Sequence, residues 1–386
     1  MFPGNSYSEH SDLFAAITRG LDIIGAAESA LFPGRRPAAE IAILYPRSSF
    51  MWDEWGQKSP ETIEDETNGN MDGRTTEYMA EVHGLFAVLA QSYDFPVDFM
   101  DEDDAANVTH LSNYHVVFVT QPSVPAESQS ALQKYAAGGG TVVLSRGAAM
   151  LDRYGQPLVV LGDGIDTVKP SPTAIGSVWS LPNTDNGTFT KPATPTESAA
   201  VLAAPPLTFA AYGQVGRAAP TLPKGSSVLA HFADGTPAAV ETLGKEGAGV
   251  IRLLWNPGLS WDHSGWLTGT GGFLSGILAA ANVSRPAWTN MTSCQSAGGV
   301  ERGIETPLLI DSGNSAAMTL LNWCGGNVTV KATASVGFMV GSVTSAVTGA
   351  SLSFQQERAA DGSDTGPTTV ADVTVSDVDV LVFRRK

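Results

Sequence analysis

The chain has 386 residues, of which 43% are hydrophobic, and a formal net charge of −17 from 39 acidic and 22 basic residues. This length suits two or three folded domains. The negative charge argues against a nucleic-acid-binding protein, because a phosphate backbone requires a basic surface. The sequence contains no run of about 18 apolar residues, so it predicts no membrane-spanning helix. It shows no basic segment followed by an apolar one at its start, so it predicts no signal peptide.

Residues 1–34 predict one amphipathic helix. Ser11 is placed to cap its first turn, and Pro33-Gly34 ends it. Apolar residues recur at helical spacing between these two points, at Leu13, Ile17, Leu21, Ile24 and Leu31. A helix with one apolar stripe needs a partner surface. We expect this surface either in the domain that follows or in a body of protein outside this sequence.

Residues 35 to about 150 alternate between apolar strands and helices. The predicted strands are 41–45, 97–99, 115–120 and 141–145, and the predicted helices are 75–92 and 126–137. Strands that are apolar throughout and separated by helices predict a parallel sheet covered on both faces. The glycine triplet 138–140 ends the second helix and turns the chain into the next strand.

The remainder predicts an irregular insertion, the end of the α/β domain and a second domain. Residues 151–225 are rich in Pro, Thr, Ser and Ala, and a hairpin about Asp234-Gly235 follows them. A strand at 249–254 and a helix at about 271–281 close the first domain. Residues 285–386 contain short apolar runs separated by Gly, Ser and Asp turns, which predict a small antiparallel β-sandwich.

Acidic and cysteine residues give little sign of a metal or cofactor. The acidic runs at 53–54, 61–66 and 101–104 predict a solvated surface, and the last of them lacks the ligand spacing of a calcium loop. Cys294 and Cys324 lack the spacing of a zinc site, so they form either one disulfide or two buried free thiols. The compartment stays open, including an extracellular one, since sequons occur at Asn107, Asn186, Asn282, Asn290 and Asn327.

Two segments combine tryptophans with polar side chains. The first follows the first strand, at the edge where parallel sheets bind ligands, and contains Trp52, Asp53, Glu54 and Trp55. The second is predicted as a loop after a later strand and contains Trp261, Asp262, His263 and Trp266. Indole rings stack on sugars and carboxylates accept hydroxyl hydrogens, so these side chains are candidate carbohydrate contacts. The alternative is that Trp52 and Trp55 are buried against a neighbouring domain or subunit and that His263 is a structural hydrogen-bonding residue.

The order of these elements resembles that of β-galactosidases with a trimerisation domain, in clan A of the glycoside hydrolases. The resemblance covers roughly residues 10–386 and is carried by the segments 38–46, 114–119, 132–144, 249–254, 303–309, 320–323 and 378–382. It implies a flavodoxin-like domain related to class I glutamine amidotransferases, followed by a small β-sandwich. It further implies that residues 1–34 are the tail of a missing (β/α)8 barrel, residues 35–284 the amidotransferase-like domain with the insertion 151–225, and residues 285–386 the sandwich.

The resemblance also implies that the two catalytic glutamates lie on the barrel and are absent from this chain. An amidotransferase would need a cysteine after a central strand, and here that strand ends at Ser145, without the G-x-S-x-G elbow of a serine hydrolase. We therefore expect a noncatalytic scaffold or oligomerisation part that associates with itself, as a trimer, or with a catalytic barrel. Two alternatives stay open: a stand-alone carbohydrate-binding or scaffold protein that uses the four tryptophans, and a glycoside hydrolase in its own right that uses acids in 53–66 with His263.

Overall fold

The computed structural model describes residues 11–49, 51, 77–158, 160–161, 186–189, 208–210, 221–232, 235–243, 249–263, 268–290, 294–295, 301–311, 313–358 and 365–386. The chain forms two compact units, one of residues 39–284 and the other of residues 1–38 together with 285–386. No helix in the described part of the chain is both long and apolar enough to cross a bilayer.

The helices of the described residues are α1 (Ser11–Leu31), α2 (Glu77–Phe86), α3 (Glu102–Ala105), α4 (Val108–Leu111), α5 (Ala126–Ala137), α6 (Pro257–His263) and α7 (Thr268–Ala280). A π-helical turn, Ala87–Ser92, continues α2. Segment 257–263 was predicted as a loop, and the structure corrects this to a helix. Proline is well suited to the first turn of a helix, where its missing N–H leaves no hydrogen bond unmade.

The larger unit contains one nine-stranded sheet. Its strands are β1 (Ile41–Leu44), β2 (Val97–Met100), β3 (Val116–Val119), β4 (Thr141–Leu144), β5 (Asn186–Phe189), β6 (Thr208–Ala210), β7 (Ser226–Phe232), β8 (Pro237–Leu243) and β9 (Gly249–Leu253). They are ordered β2-β1-β3-β4-β9-β8-β7-β5-β6. The first five in this order run parallel to one another, and each later pairing is antiparallel.

Both faces of the parallel strands are buried, as their continuous apolar sequence predicts. Ile41 and Ile43 of β1 point into one core, which also contains residues of α2 and α7. Ala42 and Leu44 point into a second core, which contains Leu132 of α5. Alternate residues of a strand point to opposite faces, so a four-residue apolar strand supplies both cores at once. The mixed α/β sheet predicted from the sequence is therefore present.

The smaller unit contains two antiparallel sheets around one core. The first sheet has the order β10-β16-β19-β18, from Ala287–Thr289, Val328–Ala334, Thr368–Val375 and Phe354–Gln356. The second has the order β13-β15-β20-β17, from Ile304–Glu305, Ser315–Asn322, Val378–Arg385 and Val340–Ser345, with β14 (Leu308–Asp311) also on β15. A short separate hairpin pairs β11 (Cys294–Gln295) with β12 (Glu301–Arg302). The predicted antiparallel sandwich follows the α/β sheet in the chain.

Helix α1 packs against β15 and β20 of the sandwich, but not through the predicted stripe. Its buried side chains are Ile23, Ala27 and Ala30, which contact Ala317, Val380 and Val382. The predicted stripe lies on another side of the helix: Ile17, Leu21 and Ile24 are exposed, and Leu31 is partly buried. The side chain of Leu13 lies outside the described residues. The small alanines allow the helix to approach the sheet closely, and this close contact decides which face is buried.

Candidate functional site

Open parallel sheets bind ligands outside the carboxyl ends of their strands, where successive connections leave in opposite directions. In this sheet that point lies between β1 and β3, because β2 lies on one side of β1 and β3 on the other. The candidate site is therefore the carboxyl edge of the parallel strands. The segments that form it are 45–49, 101–105, 120–124 and 145–149.

Glu102 closes the turn that follows β1. Its Oε1 accepts the backbone N–H of Ser48 at 2.8 Å, and its Oε2 accepts the Ser48 hydroxyl. Glu102 is the first residue of α3 and is 1% exposed. Burial raises the pKa of Glu102, while the two bonds from Ser48 and the charge of Arg47 lower it in part. The backbone N–H of Ser48, which an anionic ligand would otherwise bind, therefore donates to a carboxylate of the protein itself.

The acidic run 101–104 was expected to be a solvated surface, and the structure corrects this for one of its members. Asp101 caps α3, since its side chain accepts the backbone N–H of Asp104 at 2.8 Å. Asp103 forms an exposed ion pair with Arg47, which contributes little to stability. Glu102 is buried because the capped turn directs it inward. Within the described residues, no group of three or more His, Cys, Asp or Glu side chains is placed to hold a metal ion.

Replacing Glu102 with glutamine should flatten the pH dependence of stability. A pKa raised in the folded state means that the native protein holds this proton more tightly than the unfolded chain. The stabilisation is therefore complete below the ordinary pKa of about 4.5 and is lost as pH rises through the folded pKa. Glu102→Gln keeps an acceptor for Ser48 and does not titrate.

Urea denaturation between acid and neutral pH measures this effect. The wild type should lose stability relative to Glu102→Gln as pH rises. Glu241→Gln is the matched control, because burial also raises the pKa of Glu241 and the direction of the effect is the same at a site away from this edge. Parallel curves for the wild type and Glu102→Gln would contradict the role of this carboxyl group.

The turns after β1 and β3 are joined by a pair of serines. The backbone N–H of Ser123 donates to Ser49 Oγ at 2.9 Å, and the Ser49 hydroxyl donates to the Ser123 carbonyl at 3.3 Å. Next to them, Thr120 Oγ1 and Gln121 Nε2 are buried and make no hydrogen bond to the protein. Both side chains are at most 2% exposed. The described side chains at the switch point are therefore buried, and the two serines bind each other.

Ser145 directly follows β4, the strand after which the sequence analysis looked for a cysteine nucleophile. Its hydroxyl donates to Glu81 Oε1 at 2.7 Å, and Glu81 Oε2 accepts the backbone N–H of Leu259 at 2.8 Å. Ser145 is 1% exposed and Glu81 is fully buried. A hydroxyl next to a carboxylate could in principle act as a nucleophile beside its base, but a substrate has no access to either group. Glu81 instead joins β4, α2 and α6.

Arg252 is a buried cation that sequence reasoning missed. It lies in β9, is 0% exposed, and donates to the carbonyls of Ala148 at 3.1 Å and Leu161 at 2.8 Å. Its guanidinium thereby fixes the segment after β4 to the sheet. The one sequence signal is an arginine inside an otherwise apolar strand, since a charge there must be satisfied locally.

One cavity of the described residues lies at the opposite, amino edge of the same sheet. Its volume is about 580 Å³, and it is lined by residues that include His115, Lys134 and Asn282. His115 Nδ1 lies 3.9 Å from Glu40, which also accepts the backbone N–H of Ser284. These contacts join the first and last segments of the unit, which indicates a structural role for His115.

Solved structures that are similar to this chain include three glycoside hydrolases. Gan42B, a GH42 β-galactosidase from G. stearothermophilus, matches with a TM-score of 0.56 and 13% identity over 98% of this chain and 44% of that chain. α-L-Fucosidase isoenzyme 2 from Paenibacillus thiaminolyticus matches with a TM-score of 0.59 and 13% identity over 94% of this chain and 51% of that one. A β-galactosidase from Bacillus circulans sp. alkalophilus matches with a TM-score of 0.53 and 15% identity over 91% of this chain and 42% of that chain.

The fold is one that glycoside hydrolases carry. At this identity the likeness concerns the fold alone, and the chain spans about half the length, or less, of these enzymes. No protein-family profile matches the sequence, and no curated protein matches it. The resemblance to β-galactosidases drawn from the sequence thus agrees with the structures at the level of a glycoside hydrolase fold.

Trp261 is the one predicted carbohydrate contact whose side chain is described. It is 4% exposed and lies in the core with Trp255, Phe273 and Leu274, so its ring offers no face to a sugar. Asp262 and His263 end α6, where the backbone alone is described. The remaining candidates lie outside the described residues: Trp52, Asp53, Glu54, Trp55 and Trp266.

Cys324 follows β15 and is disulfide-bonded. The sequence contains one other cysteine, Cys294. The sequence left open either one disulfide or two buried free thiols, and the structure has a disulfide at Cys324. Such bonds form and persist mainly in oxidising compartments.

Proposed function

We propose that this chain is a noncatalytic scaffold and oligomerisation part of a β-galactosidase-like glycoside hydrolase. The active carboxylates of such an enzyme would be supplied by a catalytic barrel outside these residues. The chain would hold copies of the enzyme together and contribute to the rim of a carbohydrate cleft.

The buried carboxyl groups at the carboxyl edge of the parallel sheet carry the proposal. Catalysis of glycoside cleavage needs two accessible carboxyl groups, about 5 Å apart for retention or 6.5–9.5 Å for inversion. The buried carboxyl groups at this edge, Glu81 and Glu102, bind backbone N–H groups and serine hydroxyls of the protein itself. They are buried and join secondary-structure elements, which supports a structural role.

The strand order supports a flavodoxin-like, amidotransferase-related domain. Numbered along the chain, the parallel strands have the order 2-1-3-4-5, with β9 as the fifth, and this is the order of flavodoxin-like sheets. Ser145 stands after the fourth strand, with its hydroxyl bound to a buried carboxylate. A domain of this ancestry without a nucleophile is consistent with a fold retained for support.

The coverage of the similar structures supports a catalytic partner. The chain spans 44% of Gan42B, a protein described as a β-galactosidase. A body of comparable size would complete such an enzyme. Trp52, Asp53, Glu54, Trp55 and Trp266 remain candidate contacts to a sugar held mainly by that body.

The isolated chain should not cleave 4-nitrophenyl β-galactoside. Its rate of nitrophenol release should equal that of buffer, with a GH42 β-galactosidase as positive control, because the buried carboxyl groups Glu81 and Glu102 are bound to groups of the protein itself. The measurement also tests the hydrolase alternative. Turnover by the purified chain that disappears in Glu54→Gln or His263→Ala would contradict the proposal, since it would place catalytic groups within these 386 residues.

A further inference from the structure

Helix α1 carries an apolar stripe that no described part of the chain covers. Phe14, Ile17, Leu21 and Ile24 are 50%, 44%, 62% and 54% exposed. The helix is anchored to the sandwich by a different face, that of Ile23, Ala27 and Ala30. Single exposed apolar residues are common on protein surfaces, but four on one helix face indicate an interaction surface.

The spacing of the stripe is self-complementary. Its residues are separated by three, four and three positions, which is the spacing of a coiled-coil seam. These intervals are the same whether the helix is followed from its amino end or from its carboxyl end. In an antiparallel pair centred on residue 19, Phe14 therefore faces Ile24 of the other copy, and Ile17 faces Leu21 of the other copy. All four side chains then meet an apolar partner.

The charges around the stripe favour a second copy as its occupant. The chain carries a net charge of −17, so most of its surface repels another copy. None of the four stripe residues is charged. Of the charged residues between Phe14 and Ile24, Arg19 is directed to Asp377 and Ser376 of its own sandwich, and Asp22 lies about 100° around the helix from Leu21. Two copies can thus meet here without bringing like charges together.

We propose that α1 pairs with α1 of a second copy, antiparallel and about a twofold axis near residue 19. This inference rests on the self-association part of the proposed function and does not depend on whether the chain is catalytic. Four half-exposed side chains supply roughly 400 Å² per copy, which is below the about 800 Å² of a standard interface. The pair is therefore weak and exchanges readily, with a Kd of roughly 10–100 µM.

Sedimentation velocity on the full chain tests the pairing. From roughly 1 to 300 µM, a range that brackets this Kd, the wild type should shift from monomer to dimer. The shift should strengthen when salt is raised from 0.1 to 1 M, because the Debye length falls from about 10 to 3 Å and the repulsion is screened. A monomer throughout would overturn the inference.

Charge substitutions within the stripe test its register. Ile17→Glu with Leu21→Glu places glutamates opposite one another and should abolish the dimer. Ile17→Lys with Leu21→Glu should restore it, because each introduced lysine faces an introduced glutamate of the other copy, and this dimer should weaken as salt rises. A parallel pair would set lysine against lysine, so a monomer in this variant would overturn the antiparallel register.

Ala26→Glu is the matched control for these substitutions. Ala26 is exposed on another side of α1, and a glutamate there also creates a like-charge pair four residues apart, with Asp22. This variant should dimerise as the wild type does. A dimer that survives Ile17→Glu with Leu21→Glu would show that another surface associates, and it would overturn the assignment to α1. None of these outcomes alters the galactoside assay, so the inference and the noncatalytic role are tested separately.

Discussion

Gly84→Ala should destabilise the α/β unit by about 3 kcal/mol, because α2 and α6 contact each other through bare backbone. A Cβ on Gly84 would lie 2.0 Å from the carbonyl oxygen of Gly258, and a Cβ on Gly258 would lie 2.3 Å from the carbonyl oxygen of Glu81. Backbone atoms cannot rotate away as a flexible side chain does. The two helices would have to separate, and the core beneath them would open.

Chemical denaturation followed by tryptophan fluorescence measures this cost, since Trp255 and Trp261 lie in the core next to these helices. Gly20→Ala is the matched control: Gly20 lies in α1, and nothing lies within 4 Å of its Cβ position. Alanine favours a helix over glycine, so this control should stabilise its own unit by about 0.5–1 kcal/mol. If Gly84→Ala changed the free energy of unfolding as little as Gly20→Ala does, the glycine contact between α2 and α6 would not be tight.

The sequence was sufficient for the repeating parts of this fold. β1, β3, β4 and β9 were predicted because a buried parallel strand must be apolar on both sides, and this pattern is local. The hairpin of β7 and β8 was predicted for the same reason, since an Asp-Gly turn specifies its own geometry, and Gly235 has the left-handed φ of +82° that such a turn requires. These features depend on neighbours in the sequence.

The parts that could not be predicted depend on residues far apart in the chain. Pro257-Gly258 is a typical turn sequence, yet it begins α6 because Gly258 lies against Gly84. Glu102 was grouped with a solvated acidic run, and its burial depends on the N–H of Ser48, 54 residues away. The face by which α1 packs depends on Ala317, Val380 and Val382, while its own pattern pointed to the larger residues now exposed.

In the candidate site, too, the features that local sequence predicts differ from those that depend on residues far apart in the chain. The sequence predicted candidate ligand contacts at the carboxyl edge of the sheet, because any parallel sheet presents its loops there. The side chains that occupy this edge were not found, since Glu81 in α2 has the appearance of an ordinary surface residue of an amphipathic helix. Aromatic residues drew attention to Trp261, whose ring is in the core. Only tertiary contacts distinguish a buried polar tie from a solvated charge.

Glu81→Ala should cost about 3–5 kcal/mol, the second large effect expected in this protein. The substitution leaves the Ser145 hydroxyl and the Leu259 N–H without the oxygens that they now bind, in a region that water does not reach. Ser145→Ala should cost only about 1–2 kcal/mol, because Glu81 keeps its bond from Leu259. Glu81→Gln should lie near the serine variant, since an amide still accepts the Leu259 N–H and can donate to Ser145.

The order of these three variants is what identifies Glu81 as a structural tie between β4, α2 and α6. Urea denaturation of each at neutral pH gives the comparison, and far-ultraviolet circular dichroism verifies that each variant is folded beforehand. A solvated carboxylate would give three small and similar values, because water would replace the lost partners. That result would place the carboxyl group in contact with solvent, and it would reopen the carboxyl edge of the sheet as a place for a ligand.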